Sequence, residues 1–199
     1  MDIKIKKRNG KYEKLQVNKT KKMVSLACDG IEGCDPIELE LDSRIQFRDG
    51  MSTKEIQKIL IQTAIEKVIQ TERDEYGNSS KKTNIHWQYV AARLLAFDLY
   101  KEAKINRNYN HFGYGDFSSL VKKLVDMKLY GKYLIDNYSD EDIEELSAYI
   151  VSDRDELFNY EGLKLLNDRY LIKGYQGEIL ELPQERFMCI AMHLAIPEG

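Results

Sequence analysis

Asn9-Gly10 stands between two short stretches in which apolar and polar residues alternate, with Ile3 and Ile5 before it and Tyr12 and Leu15 after it. Both turn residues tolerate the positive φ of a type I′ turn, so the pair commits the chain to an antiparallel hairpin, with strands expected at about 2–7 and 12–16. Beyond it the apolar spacing becomes helical. Asn18 is expected to cap a first helix that buries Met23, Val24 and Ala27 and stops near Gly30. A loop containing Pro36 follows. Asp49-Gly50 then makes a turn, and Ser52-Thr53-Lys54-Glu55 has the form of a capping box opening a helix with Ile56, Ile59, Leu60, Ala64 and Val68 on one face. The polar run 74–84 reads as a loop. From about Trp87 to Ala103 a long helix carries the stripe Val90, Leu94 and Phe97, with Lys101 one turn further.

The Asn-rich segment Ile105–Gly115 divides the chain into residues 1–104 and 105–199. The second part predicts short helices near 117–128, 139–151 and 160–168, with Ser139 and Asp142 forming a cap for the middle one. A small hairpin is expected between Tyr170-Leu171-Ile172 and Ile179-Leu180. A final helix opens at Pro183 and places Phe187, Ile190, Ala191 and Leu194 on its buried side. The expected fold is mainly α: a four-helix unit capped by a β-hairpin, followed by a second helical segment.

Composition removes several function classes. No segment approaches the apolar length of a membrane span, and the N-terminus lacks the apolar run of a secretory signal. Three cysteines argue against a disulfide framework, so a soluble, cytoplasmic chain is expected, with no membrane partner. Cys28 and Cys34 have no paired Cys or His motif beside them, and Cys189 lies in the apolar run Met188-Cys189-Ile190-Ala191, which suits a core position. His86, His111 and His193 are scattered, with no nucleophile–base arrangement around them. Neither a catalytic residue nor a metal site is expected.

Charge is distributed unevenly. Residues 1–22 hold nine basic side chains against Asp2 and Glu13, in a chain whose formal net charge is −3. A cationic patch on a net acidic protein suits a local anion better than nucleic acid, and Tyr12 alone offers a stacking surface there. A solvated lysine-rich hairpin remains the plain alternative. A triphosphate needs several cations and backbone donors in one place, and a helix N-terminus supplies the donors. Lys7 and Arg8 precede the turn, and Lys19 sits beside Asn18 at the first helix. Thr53 and Gln57 share a helix face, Lys101 extends an apolar stripe, and Glu13 can accept from a ribose or a base amine.

The run Ile5-Lys6-Lys7-Arg8-Asn9-Gly10-Lys11-Tyr12-Glu13, followed by Asn18-Lys19, resembles the opening of an ATP-cone domain. Asp49-Gly50-Met51-Ser52-Thr53 and Tyr89-Val90-Ala91-Ala92-Arg93-Leu94 resemble its later landmarks. Leu166-Asn167-Asp168-Arg169-Tyr170-Leu171 and Ile179-Leu180-Glu181-Leu182-Pro183-Gln184-Glu185-Arg186-Phe187-Met188 are similar to the segment preceding the catalytic barrel in the large subunit of ribonucleotide reductase. The resemblance implies an allosteric activity site that binds ATP as activator or dATP as inhibitor, with Mg2+ as an optional companion. By motif, Lys7, Arg8 and Lys101 would meet phosphates, and Glu13, Lys14, Leu15, Gln16, Val17, Asn18 and Lys19 would line base and ribose. Thr53 would contact the sugar, and Gln57 falls where many members have histidine. The implied partners are the remainder of the large subunit, with its barrel and cysteines, a radical-generating small subunit, and further copies in a homo-oligomer. Two rivals remain: a transcriptional regulator carrying such a cone, and a degenerate cone kept as an interaction surface.

Overall fold

A computed structural model of the chain describes residues 3–73 and 79–198, which divide into two compact units. The first comprises residues up to Asp98 together with Glu156–Gly162; the second comprises Leu99–Asp155 and Leu163 onward. The fold is mainly helical.

In the first unit β1 (Lys4–Lys6) pairs antiparallel with β2 (Tyr12–Lys14), Ile5 standing opposite Glu13. The hairpin forms, but not through the expected type I′ turn: Gly10 takes φ +81° while Asn9 keeps a negative φ. The Gly10 amide donates to the Lys7 carbonyl at 2.9 Å and the Lys7 amide to the Lys11 carbonyl at 2.8 Å, a three-residue loop with glycine in its left-handed position. On the other edge of β1, the Lys6 amide donates to the Met51 carbonyl at 2.9 Å, and Lys6 bridges Ser52 in parallel. The start of the third helix is thereby tied to the hairpin.

Four helices follow: α1 (Val17–Cys28), α2 (Pro36–Ser43), α3 (Thr53–Glu66) and α4 (Trp87–Arg107), the last continuing into the second unit. Two expectations need correction here. Asn18 does not cap α1; the capping position is Gln16, with no side-chain bond to the helix. The Leu15 amide still bonds the Ile3 carbonyl at 2.9 Å, so the extended chain runs directly into the helix at Val17. The loop around Pro36 contains a helix, α2, whose cap Asp35 accepts from the Ile37 amide at 2.7 Å ahead of Pro36. At α3 half of the expected box is present. Ser52 accepts from the Glu55 amide at 3.0 Å, while the Glu55 carboxylate pairs with Arg48.

The polar run read as a loop is also corrected in part. Ser79–Thr83 forms β4, antiparallel to β3 (Ile69–Arg73), with Ile69 opposite Thr83; residues 74–78 lie outside the described residues. The pairing is made by backbone groups and requires no apolar alternation.

The core of this unit gathers Val24, Leu39, Ile56, Leu60, Trp87, Val90 and Leu94. Two cations complete it. Lys67, only 4% exposed, reaches Asp42 at 2.5 Å and Glu38 at 3.2 Å on α2 and lies 4.8 Å from the Trp87 ring centroid. Burial opposes its charge, but the two carboxylates outweigh that penalty and hold the ammonium above its ordinary pKa. Arg93 of α4 donates to the Asp29 carbonyl at the end of α1 and pairs with Glu156 at 2.6 Å.

The second unit contains α5 (Phe117–Asp126), α6 (Tyr133–Asn137), α7 (Asp140–Ser147) and α9 (Pro183–Ala195); α8 (Tyr160–Leu165) runs into a π-helical turn over Leu166–Tyr170. Ser139 and Asp142 form the expected box at α7. Phe117, Leu120, Leu124, Ile143, Leu180, Cys189 and Met192 make the core. Within it the buried Asp155 carboxylate accepts from Tyr100 at 2.5 Å, Tyr114 at 2.7 Å and Gln184 at 2.6 Å. The expected hairpin at 170–180 is reduced to one antiparallel bridge, Lys173 to Ile179, because the π turn takes up residues to Tyr170. α9 is rotated from the expected orientation. Cys189 and Met192 are buried, whereas Phe187, Ile190 and Leu194 are 46%, 44% and 65% exposed. Arg107 fixes that rotation by holding Glu185 inward, on the same side as Cys189 and Met192. Among the described residues no helix is long and apolar enough to cross a membrane.

Candidate functional site

The hairpin sets its side chains by strand alternation. Ile5 points into the protein and is 8% exposed, while Lys4 and Lys14 stand directly opposite one another and Lys6 stands opposite Tyr12. Like charges at opposed strand positions repel, and an anion relieves that repulsion. At the turn Lys7 Nζ lies 3.8 Å from the Glu13 carboxylate, both side chains partly exposed. This ion pair brings together two of the residues singled out from sequence.

From Glu13 the chain passes through Lys14, Leu15, Gln16, Val17 and Asn18 to Lys19 without leaving this end of the unit. The Lys19 amide donates to the Gln16 carbonyl at 3.0 Å, closing the first turn of α1. That turn has no capping side chain and no acidic residue, so its positive end faces solvent beside Lys19. Thr53 joins the group through its neighbour Ser52, which bridges Lys6. Lys7, Glu13 and the 14–19 segment thus follow one another along the hairpin into α1, while Thr53 opens α3 beside the other edge of β1.

Two of the singled-out residues turn inward, and a third falls in the second unit. Arg8 turns inward, with a side chain 8% exposed, and forms an ion pair with Asp98 on α4. Gln57 is 1% exposed and donates its amide to the Leu94 carbonyl at 2.7 Å, so it joins α3 to α4 inside the core. Lys101 lies on α4 three residues beyond Asp98, in the portion belonging to the second unit.

Asp98, the partner of Arg8, is a residue that sequence reading did not single out. It is the first acidic residue in α4, following an acid-free stretch from Trp87 to Phe97, and that isolation was the available signal. The three thiols are buried, and burial pushes Cys28 and Cys189 up to about 12 and Cys34 to about 11, which keeps them protonated and unreactive at neutral pH. Among the described residues no group of three or more His, Cys, Asp or Glu side chains is arranged to hold a metal ion.

The geometry is that of a basic two-stranded hairpin joined to a helical unit, beside a helix start with no capping side chain. The chain belongs to the ATP-cone family, whose domain model matches residues 3–102. Residues 156–199 match the all-alpha domain of ribonucleotide reductase. The chain is 38% identical over 194 residues to the ribonucleoside-diphosphate reductase subunit alpha of Helicobacter pylori, covering 97% of this chain and 22% of the relative. It is 33% identical over 197 residues to the Synechocystis subunit alpha, covering 99% of this chain and 23% of that one. Against ribonucleoside-diphosphate reductase 1 subunit alpha of Escherichia coli it is 30% identical over 188 residues, covering 94% and 22%. The chain thus spans about a fifth of the length of the relatives it matches.

Proposed function

We propose that residues 3–98 bind an adenine nucleotide and that the chain is the allosteric activity module of a ribonucleoside-diphosphate reductase, with ATP as activator and dATP as inhibitor. The observation that supports this reading is the basic hairpin with its two neighbours: Lys7 beside Glu13, the uncapped first turn of α1 that follows β2, and the start of α3 tied to β1 by the Lys6–Ser52 bridge. Cations and open backbone amides suit phosphate, and Glu13 offers an acceptor for a sugar hydroxyl or base amine. Membership of the ATP-cone family supports the nucleotide, and the reductase relatives support the enzyme it serves. The remainder of such a large subunit, its radical-generating small subunit and further copies are the partners this role entails. Mg2+ would accompany the nucleotide through its phosphates.

Calorimetric titration of the chain with ATP, dATP and AMP tests the reading, together with the melting temperature in each nucleotide. A ligand that binds only the folded form stabilises it by about 2.7 kcal/mol at a hundred times its Kd, so a clear rise is expected. A flat melting temperature across millimolar ATP and dATP overturns it.

A further inference from the structure

Arg8 and Lys7 are neighbours at the hairpin tip, yet they are disposed in opposite ways. Lys7 has a side chain 31% exposed and lies 3.8 Å from Glu13, whereas Arg8 is 8% exposed and ion-paired with Asp98, itself 19% exposed. A guanidinium is the side chain best matched to phosphate, since its planar fork can hold two oxygens at once. Here the residue best suited to a polyphosphate is engaged by a carboxylate of the same unit.

The two ends of this pair are not equally fixed. Asp98 sits one helical turn beyond Leu94, which is fully buried and whose carbonyl is held by the Gln57 amide at 2.7 Å. Arg8 borders the exposed Asn9-Gly10 turn. An exchange of partner is therefore made by Arg8 swinging outward. Asp98 is then left partly buried without its cation, and that desolvated charge is costly.

We propose that Asp98 sets the affinity and phosphate selectivity of the nucleotide site by competing with the ligand for Arg8. The proposal rests on the nucleotide reading above. Asp98 acts through Arg8 and is a positioning residue. While it holds Arg8, apparent affinity for a polyphosphate is reduced by the fraction of molecules in which the guanidinium is withdrawn. A ligand without phosphate has no use for Arg8 and is indifferent to the contact.

The test is calorimetric titration of the parent chain, Asp98→Asn, Asp98→Ser and Asp98→Glu with ATP, ADP, AMP and adenosine, with circular dichroism to check folding. Asp98→Asn and Asp98→Ser are expected to bind ATP roughly fivefold to tenfold more tightly. The gain should shrink from ATP through AMP and vanish for adenosine, and Asp98→Glu, which keeps the charge, should return to parental values. An unchanged or weakened ATP affinity in the neutral variants overturns the proposal, and so does a gain that is equal for ATP and adenosine. Loss of folding in both neutral variants overturns it as well, because the pair would then be structural. If the parent binds nucleotide and the variants match it, only the role of Asp98 falls. If no variant and no parent binds any of the four ligands, the nucleotide reading falls too.

Discussion

Arg107 Nη1 lies 2.7 and 3.0 Å from the two oxygens of Glu185, a carboxylate with no solvent exposure. Its other terminal nitrogen donates to the Asp116 carbonyl at 3.0 Å, and Glu185 also accepts from the Leu182 amide at 2.8 Å. One ion pair thus joins the end of α4, the approach to α5 and the start of α9.

Removing the cation should be severe. Burial pushes Glu185 up to about 7 even against the opposing pull of Arg107. Arg107→Ala should destabilise the second unit by about 3–5 kcal/mol, the usual cost of a buried charge left alone. An acid whose folded pKa is raised binds its proton more readily folded than unfolded, so stability falls as pH rises from about 4.3, the unfolded glutamate value, toward 7 and beyond. Without Arg107 that pKa rises further. Urea unfolding of the variant should therefore show a smaller deficit at pH 5.5 than at pH 8; an equal deficit at both would contradict this account.

The two sides of α9 should respond unequally. Met192 is 2% exposed and Leu194 is 65% exposed. Met192→Ala should cost about 2–5 kcal/mol, whereas Leu194→Ala should stay within about 0.5 kcal/mol. Chemical denaturation of the two single variants measures this, and a larger loss at Leu194 would restore the orientation that periodicity alone suggested.

Asp116 caps α5 by accepting from the Ser119 amide at 2.6 Å, and bonding to Ser119 holds its carboxyl below the ordinary range. Asp116→Ala should cost about 1 kcal/mol at neutral pH. A depressed folded pKa stabilises above the unfolded value of about 3.9 and loses that contribution as pH falls through the folded value. The difference between parent and variant melting temperatures should accordingly shrink as pH falls below the unfolded value and through the lower folded one.

Lys7→Ala should weaken ATP binding by about 1.5–3 kcal/mol, the range for hydrogen bonds to charged groups. Lys132, 75% exposed and paired with Asp136 within one helix turn, serves as the comparison and should leave affinity unchanged when replaced by Ala. Equal losses at both positions, measured by calorimetry, would indicate diffuse attraction and no specific site.

The features visible in sequence were those whose cause is local. Asn9-Gly10 marked the hairpin, though only Gly10 takes the positive φ expected of both; Ser139 and Asp142 made their box, and the stripe Val90, Leu94 and Phe97 belongs to the helix it suggested. Asp35-Pro36 was equally legible, since an acidic cap ahead of proline is a helix start. β3 and β4 left no trace because Ser79–Thr83 contains no apolar residue, and backbone pairing does not need one. The rotation of α9 was hidden for another reason. Its residues are apolar on more than one side, and Arg107, 78 positions away in sequence, fixes which side turns inward by holding Glu185. At the candidate site, sequence singled out Lys7, Arg8, Glu13, Lys19, Thr53, Gln57 and Lys101 together, but the inward turn of Arg8 depends on an acid 90 positions distant.

Gln57 carries no proton that acidity can move. An imidazole in its place would change charge between about pH 5 and 8, and its bond to the Leu94 carbonyl would change character with it. The amide donates at 2.7 Å in either condition, and the only imidazole among the first 98 residues is His86, at the approach to α4. This bond between α3 and α4 therefore has no titratable donor, and its character does not change as pH falls.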